Sequence, residues 1–174
     1  MNNIEINNCL NKNPLTKKFY CFTIAADELK YIRIVKYPKF IILNTSPSTR
    51  RTGHWLALGF INKNLLEIFD SSGFMFRINK YLRDYIKNLP NDVRLEYCAK
   101  LIQDPNSDIC GIYCIDYVLN RLKNKSLKSY CKQFNANHQV DNDKKVLNNF
   151  KKHFSRCITP TKGYFQKCRK LNLC

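Results

Sequence analysis

The sequence predicts an α+β domain in which a small central sheet, mixed or antiparallel, is flanked by helices. Three observations predict it. Short apolar runs of strand length crowd residues 39–70, and apolar residues at three- and four-residue spacing recur from residue 78 onward. No internal repeat and no Pro/Ser/Gly linker divides the 174 residues, which suit one domain large enough to bury a core without staples. A hydrophobic content of 44%, with 11 Phe and 10 Tyr, excludes a disordered chain.

Residues 1–18 are polar and rich in Asn and are expected to lie loosely on the surface. Lys39-Phe-Ile-Ile-Leu-Asn44 is a short apolar run that reads as a buried strand. A turn-rich stretch, residues 45–53, leads into a second run, His54-Trp-Leu-Ala-Leu-Gly-Phe-Ile61. Asn62-Lys-Asn64 then turns the chain into a third, Leu65-Leu-Glu-Ile-Phe-Asp70. With the turn there, His54 and Asp70 fall side by side at the same end of a hairpin. That places an imidazole beside a carboxylate.

After Ser71-Ser-Gly73 the period changes. Ile78, Leu82, Tyr85, Ile86 and Leu89 form a helical face that Pro90 stops. Residues 94–102 alternate partly and predict another strand, followed by a polar loop over 103–111. Cys110 stands at or near the start of a helix reaching to about Leu122, with Ile112, Ile115, Val118, Leu119 and Leu122 on its apolar face. Residues 126–134 and 142–154 predict two more helices.

Lys and Arg outnumber Asp and Glu 30 to 13, a formal charge of +17. Such a surplus puts a positive field on the surface and attracts polyanions, nucleic acid first and an anionic membrane surface second. Inflation of Lys and Asn by an AT-rich genome is the competing explanation. No run approaches the ~18 apolar residues that span a bilayer, and the first residues lack the basic-then-apolar order of a signal peptide. An intracellular, thiol-reducing setting is therefore expected. Nine cysteines, an odd number, leave at least one thiol free or paired with another molecule.

A helix start favours the thiolate form of Cys110 through its unpaired N–H groups and dipole, and Gly111 permits close approach of backbone or substrate. A thiolate nucleophile needs an imidazole, and His54 is the one of three histidines that lies beside a candidate orienting acid, Asp70. Gln103 is a neutral donor able to face an oxyanion together with the Cys110 N–H. Singly each feature is ordinary: cysteines are more often buried hydrophobes, and an Asp before Ser-Ser-Gly is usually a turn residue.

Together, Asn44-Thr45 … Gly53-His54-Trp55, Ile68-Phe-Asp-Ser-Ser-Gly73 and Gln103-Asp-Pro-Asn-Ser-Asp-Ile-Cys-Gly-Ile-Tyr-Cys114 resemble the adenovirus maturation protease family, adenain. Its relatives occur in large DNA viruses, virophages and Polinton-type elements, within the clan that also holds SUMO- and ubiquitin-like-protein proteases. The resemblance spans about residues 44–120. It implies an adenain-like cysteine protease fold with Cys110 as nucleophile, His54 as general base and acid, Asp70 as orienting acid and Gln103 as oxyanion donor. Trp55 and Gly111 would flank the oxyanion and substrate site. The implied activity is cleavage of viral precursor proteins at glycine-containing sites during virion maturation, by a monomer without membrane association. The virion and the host nucleus or viral assembly site are the implied locations.

The family is also activated by DNA and by a short viral peptide that bonds to a cysteine. Cys98 stands too close to Gln103 to be equated with that cysteine. For DNA, the basic C-terminal helix and tail, residues 144–174, hold nine Lys or Arg and no acid. Lys144, Lys145, Lys151, Lys152, Arg156, Lys167, Arg169 and Lys170 are the candidate phosphate contacts, with Tyr164 and Phe165 among them for stacking. A solvated tail without a fixed partner is the alternative. His153, Cys157, Cys168 and Cys174 are too irregularly spaced for a zinc site, so no metal is expected. The rival functions are a SUMO- or ubiquitin-like-protein deconjugating protease and a basic nucleic-acid-packaging protein without catalysis.

Overall fold

The apolar runs pair into one five-stranded sheet in chain order: β1 (Tyr20–Ile24), β2 (Lys39–Asn44), β3 (Trp55–Asn62), β4 (Leu65–Phe69) and β5 (Arg94–Tyr97). β2, β3 and β4 are antiparallel neighbours, while β1 runs parallel to β2 and β5 parallel to β4. The sheet is mixed, as expected. The structure is a computed structural model; it describes residues 1–50, 52–73, 77 and 79–154, except the side chains of Tyr20 and Cys21.

The central strands read as unbroken apolar runs because both of their faces are covered. Phe40, Ile42, Ala57 and Phe69 enter one core, against α1 (Asn3–Lys12), α4 (Cys110–Leu122), α5 (Leu127–Lys132) and α6 (Gln139–Phe154). Ile41, Leu43, Leu56, Leu58, Leu66 and Ile68 enter the other, closed by a 3-10 turn (Ala26–Tyr31) and by α3 (Lys80–Lys87) through Leu29 and Leu82. The helix that begins at Cys110 is the central one, with every residue from Gly111 to Leu119 buried. It is therefore buried all round rather than along one stripe, with Asp116 inside. The polar groups drawn inside with it are paired. Tyr117 donates to Glu67 Oε2 at 2.7 Å, Arg121 Nε reaches the same oxygen at 2.8 Å, and Tyr130 donates to Asp116 at 2.8 Å.

Residues 1–18 correct the expectation of a loose segment. They form α1 and the short α2 (Pro14–Lys17), with Ile6, Cys9, Leu10 and Thr16 fully buried. Ile6, Cys9 and Leu10 stand at helical spacing and supply an apolar stripe that the surrounding asparagines mask in composition. Asn2 and Glu5 start the helix with a reciprocal capping box, and Asn13 caps α2. The strand expected over 94–102 ends at Tyr97, because the chain turns so that the N–H groups of Ile102 and Gln103 both bond to the Ser71 carbonyl, at 2.9 and 3.2 Å. The last described helix starts three residues earlier than its periodicity indicates, at Gln139 rather than 142.

Candidate active site

The β3–β4 register brings Ala57 opposite Phe69, so the residues preceding β3 and following β4 meet at one end of the sheet. There His54 Nε2 lies 2.8 Å from Asp70 Oδ1, and Asp70 has no solvent exposure. His54 is also hydrogen-bonded to Cys110, for which the other ring nitrogen, Nδ1, is left. Cys110 is the first residue of α4, and the residue before it, Ile109, supplies no side-chain cap. The Ile112 N–H bonds back to the Ile109 carbonyl at 2.9 Å, so of the first-turn donors it is the Cys110 N–H that faces the cleft Cys110 lines.

These contacts shift all three groups toward their charged forms. Burial pulls the His54 imidazole down, but its bonds to Asp70 and Cys110 and their charges outweigh that and push it up to about 9. Burial raises the Cys110 thiol, and the His54 hydrogen bond and charge, with the Trp55 backbone N–H, hold it below the ordinary thiol value. Asp70 follows the same pattern. Burial would raise it, while His54 and the Ser72 hydroxyl and N–H hold it below the usual carboxylate range. All three shifts favour a thiolate–imidazolium pair backed by a carboxylate.

The four residues Asp70–Gly73 form the turn that fixes the carboxylate. Ser72 donates to Asp70 Oδ1 from its N–H at 2.9 Å and from its hydroxyl at 2.6 Å. Gly73 N–H closes the turn onto the Asp70 carbonyl at 3.1 Å. Gly73 adopts φ +78°, and a Cβ there would stand 2.5 Å from the Lys100 carbonyl carbon. Only glycine fits.

Gln103 lines the same cleft, a cavity of about 1010 Å³ that also exposes His54, Trp55 and Cys110. Its side chain is buried and held at both ends. Nε2 donates to the Ser107 carbonyl at 2.8 Å, and Oε1 accepts from the Ser71 hydroxyl at 2.7 Å. Trp55 belongs both to the core and to the cleft wall, and its Nε1 donates to the Met1 carbonyl at 3.1 Å. Gly111 is packed rather than open. A Cβ there would meet Ile6, Met1 and Trp55 at 3.2–3.4 Å, so the close approach it permits is that of the N-terminal segment.

The structure therefore brings together His54, Asp70, Gln103, Cys110, Trp55 and Gly111. Sequence reasoning missed Ser71, Ser72 and Ser107, which read as ordinary turn residues. It also missed the N-terminal segment as part of the cleft wall. The available signal was the Ser-Ser pair directly after Asp70. Cys114, one turn beyond Cys110, is fully buried with its thiol donating to the Trp55 carbonyl at 3.3 Å, and burial raises its pKa well above normal. It is an inert core thiol.

Lys144, Lys145, Lys151 and Lys152 are exposed on α6. Lys144 lies 3.6 Å from Asp141, and Lys145 donates to the Gln133 carbonyl at 3.2 Å. Arg156, Lys167, Arg169 and Lys170 lie outside the described residues, as do Cys157, Cys168 and Cys174. Among the described residues no group of three or more His, Cys, Asp or Glu side chains could hold a metal, and no helix is long and apolar enough to cross a membrane.

No protein-family profile matches the sequence, and neither does any curated protein. Solved structures do match in shape. The central domain of the uncharacterized Lpg1148 protein from Legionella pneumophila aligns over 98% of both chains at 12% identity, with a TM-score of 0.47. The ASFV pS273R protease aligns over 88% of this chain and 66% of its own, at 18% identity and a TM-score of 0.54. This chain thus spans 66% of the length of that protease and has the α+β fold, a mixed five-stranded sheet flanked by helices, on which that protease is built.

Proposed function

We propose that the chain is a cysteine endopeptidase acting through Cys110, His54, Asp70 and Gln103. The observation that carries this reading is the single imidazole bonded on one side to buried Asp70 and on the other to Cys110 at a helix start. In the proposed reaction the Cys110 thiolate attacks the scissile carbonyl carbon, and the electron pair of the C=O bond moves onto oxygen. Gln103 Nε2 and the Cys110 N–H receive that oxyanion. His54, as imidazolium, gives its proton to the leaving amine, the C–N bond breaks and a thioester remains. Now neutral, His54 takes a proton from water, whose oxygen attacks the thioester. The carboxylic product leaves and the thiolate–imidazolium pair is restored.

The resemblance to adenain supports viral precursor proteins, cut at glycine-containing sites during virion maturation, as substrates. It likewise supports action in the virion or at the nuclear or other intracellular assembly site. DNA is proposed as an activating partner on the strength of the +17 charge and the exposed lysines of α6. Incubation with Gly-Gly peptides, a capsid precursor and a SUMO fusion tests the reading. Cleavage that favours the precursor and disappears in Cys110→Ala is expected. Preference for the fusion would indicate a deconjugating protease. No cleavage by the wild type, with DNA binding intact, would indicate a packaging protein.

A further inference from the structure

The orientation of the Gln103 amide is decided by two serines that no catalytic step requires. A backbone carbonyl can only accept, so the amide nitrogen must face Ser107 O, at 2.8 Å. That forces Oε1 toward the Ser71 hydroxyl, which donates to it at 2.7 Å. Each Nε2 carries two hydrogens, and with one directed to Ser107 the second is left for the cleft that Gln103 lines. Rotating the amide by half a turn would point two carbonyl-type oxygens at each other and aim an acceptor, useless to an oxyanion, into the cleft.

Ser71 is itself immobilised. It has no solvent exposure, and its carbonyl accepts from the N–H groups of Ile102 and Gln103 at 2.9 and 3.2 Å. It follows Asp70 directly and precedes Ser72, whose hydroxyl and N–H hold the carboxylate that orients His54. One four-residue turn thus orients the imidazole through Asp70 and the candidate oxyanion donor through Ser71.

We infer that Ser71 is a positioning residue for the oxyanion donor, acting through Gln103 and not through the Cys110–His54 pair. The inference rests on the protease reading above and assigns its Asp70–Gly73 turn a second task. Its consequence is a separation of two chemistries. Steps that build charge on the substrate oxygen need Ser71, whereas alkylation of the thiolate, which builds none, does not.

The test uses the full chain with three readouts: peptide hydrolysis, inhibition by a peptide aldehyde, and iodoacetamide alkylation of Cys110 followed by peptide mass. The aldehyde forms a tetrahedral thiohemiacetal that places an oxyanion in the site. Ser71→Ala is expected to lower kcat about tenfold with KM unchanged, the loss of one buried hydrogen bond, and to weaken the aldehyde by a similar factor. Its alkylation rate and the pH profile of that rate stay as in wild type. In a Gln103→Ala background, Ser71→Ala changes nothing further. Ser71→Cys, nearly isosteric but a weak donor, gives an intermediate loss and serves if the alanine variant does not fold. Unchanged aldehyde affinity, an equal fall in alkylation, or a full second loss in the Gln103→Ala background would overturn the inference. A wild type that alkylates readily yet neither cleaves peptides nor binds the aldehyde would instead remove the protease reading, and this inference with it.

Discussion

His54 Nε2 stands 2.8 Å from Oδ1 of Asp70, a carboxylate oxygen that also accepts two bonds from Ser72. With Nε2 held this way, the imidazole presents Nδ1 to Cys110, and its positive charge is matched by thiolate on one side and carboxylate on the other.

That arrangement sets the pH range of activity. The thiolate forms below the ordinary thiol range and the imidazolium persists up to about 9, so reactivity rises on the acid side and falls as pH passes about 9. In Asp70→Asn the imidazolium loses its carboxylate, so the alkaline limb moves below 9 and kcat falls by about 10² or more. The pH profile of peptide hydrolysis reads the limb, and kcat at the optimum reads the fall. An alkaline limb unmoved by the substitution would show that Asp70 does not support His54.

Gly73→Ala strains the same turn. At φ +78°, with the Lys100 carbonyl carbon 2.5 Å from the new methyl, the turn must shift and carry Asp70 and Ser71 with it. A loss of about 2 kcal/mol or more in urea unfolding is expected, together with lower activity. A variant as stable as wild type would mean that the turn relaxes freely.

Asp143, on α6, supports the loop that carries Gln103. Its Oδ1 accepts from Tyr113 at 2.8 Å and from the Asp104 N–H at 3.4 Å, while Oδ2 is buried without a partner. Burial pushes its carboxyl up to about 6; the nearby Ser107 hydroxyl, whose own hydrogen bond goes to the Asp104 carbonyl at 3.0 Å, and the bonds from Tyr113 and the Asp104 N–H offset this in part, and the Asp104 charge adds to it. Since the folded pKa lies above the unfolded one, the proton's stabilising contribution is complete below about 4 and lost as pH rises through about 6. Asp143→Asn should therefore gain on the order of 2 kcal/mol over wild type at pH 7.5 and little at pH 4. Denaturant midpoints at the two pH values check this, and equal differences at both would contradict it.

The α6 lysines bear on DNA. Lys151 and Lys152 lie in its last turn, exposed. If each meets a phosphate, Lys151→Gln with Lys152→Gln lowers the slope of log affinity against log salt by about 2, as fluorescence anisotropy with duplex DNA would read. An unchanged slope would remove these two side chains from the interface.

The hairpin was legible because its physics is local. Two apolar runs and an Asn-Lys-Asn turn determine that His54 and Asp70 share an end, and the strands fall within a residue of expectation. The helix start at Cys110 was equally local, marked by a polar loop running into an apolar face. Other features depend on distant partners. Ile6 and Leu10 look like isolated apolar residues among asparagines until α4 and the sheet give them something to bury against. Ser71 and Ser107 acquire a role only because chain separated by 32 residues in one case returns to Gln103. β1 and the 3-10 turn went unassigned for a related reason: Phe22 and Tyr31 are exposed, which blurs the apolar alternation there.

The central claim, that Cys110 attacks the peptide carbonyl, is tested most directly by intact mass of enzyme quenched in acid during turnover of a glycine-containing peptide. An added mass equal to the N-terminal fragment less one water is expected, mapped to Cys110, labile to hydroxylamine and absent from Cys110→Ala. Peptide cleavage that proceeds with no acyl group on Cys110, or that persists in Cys110→Ala, would contradict it.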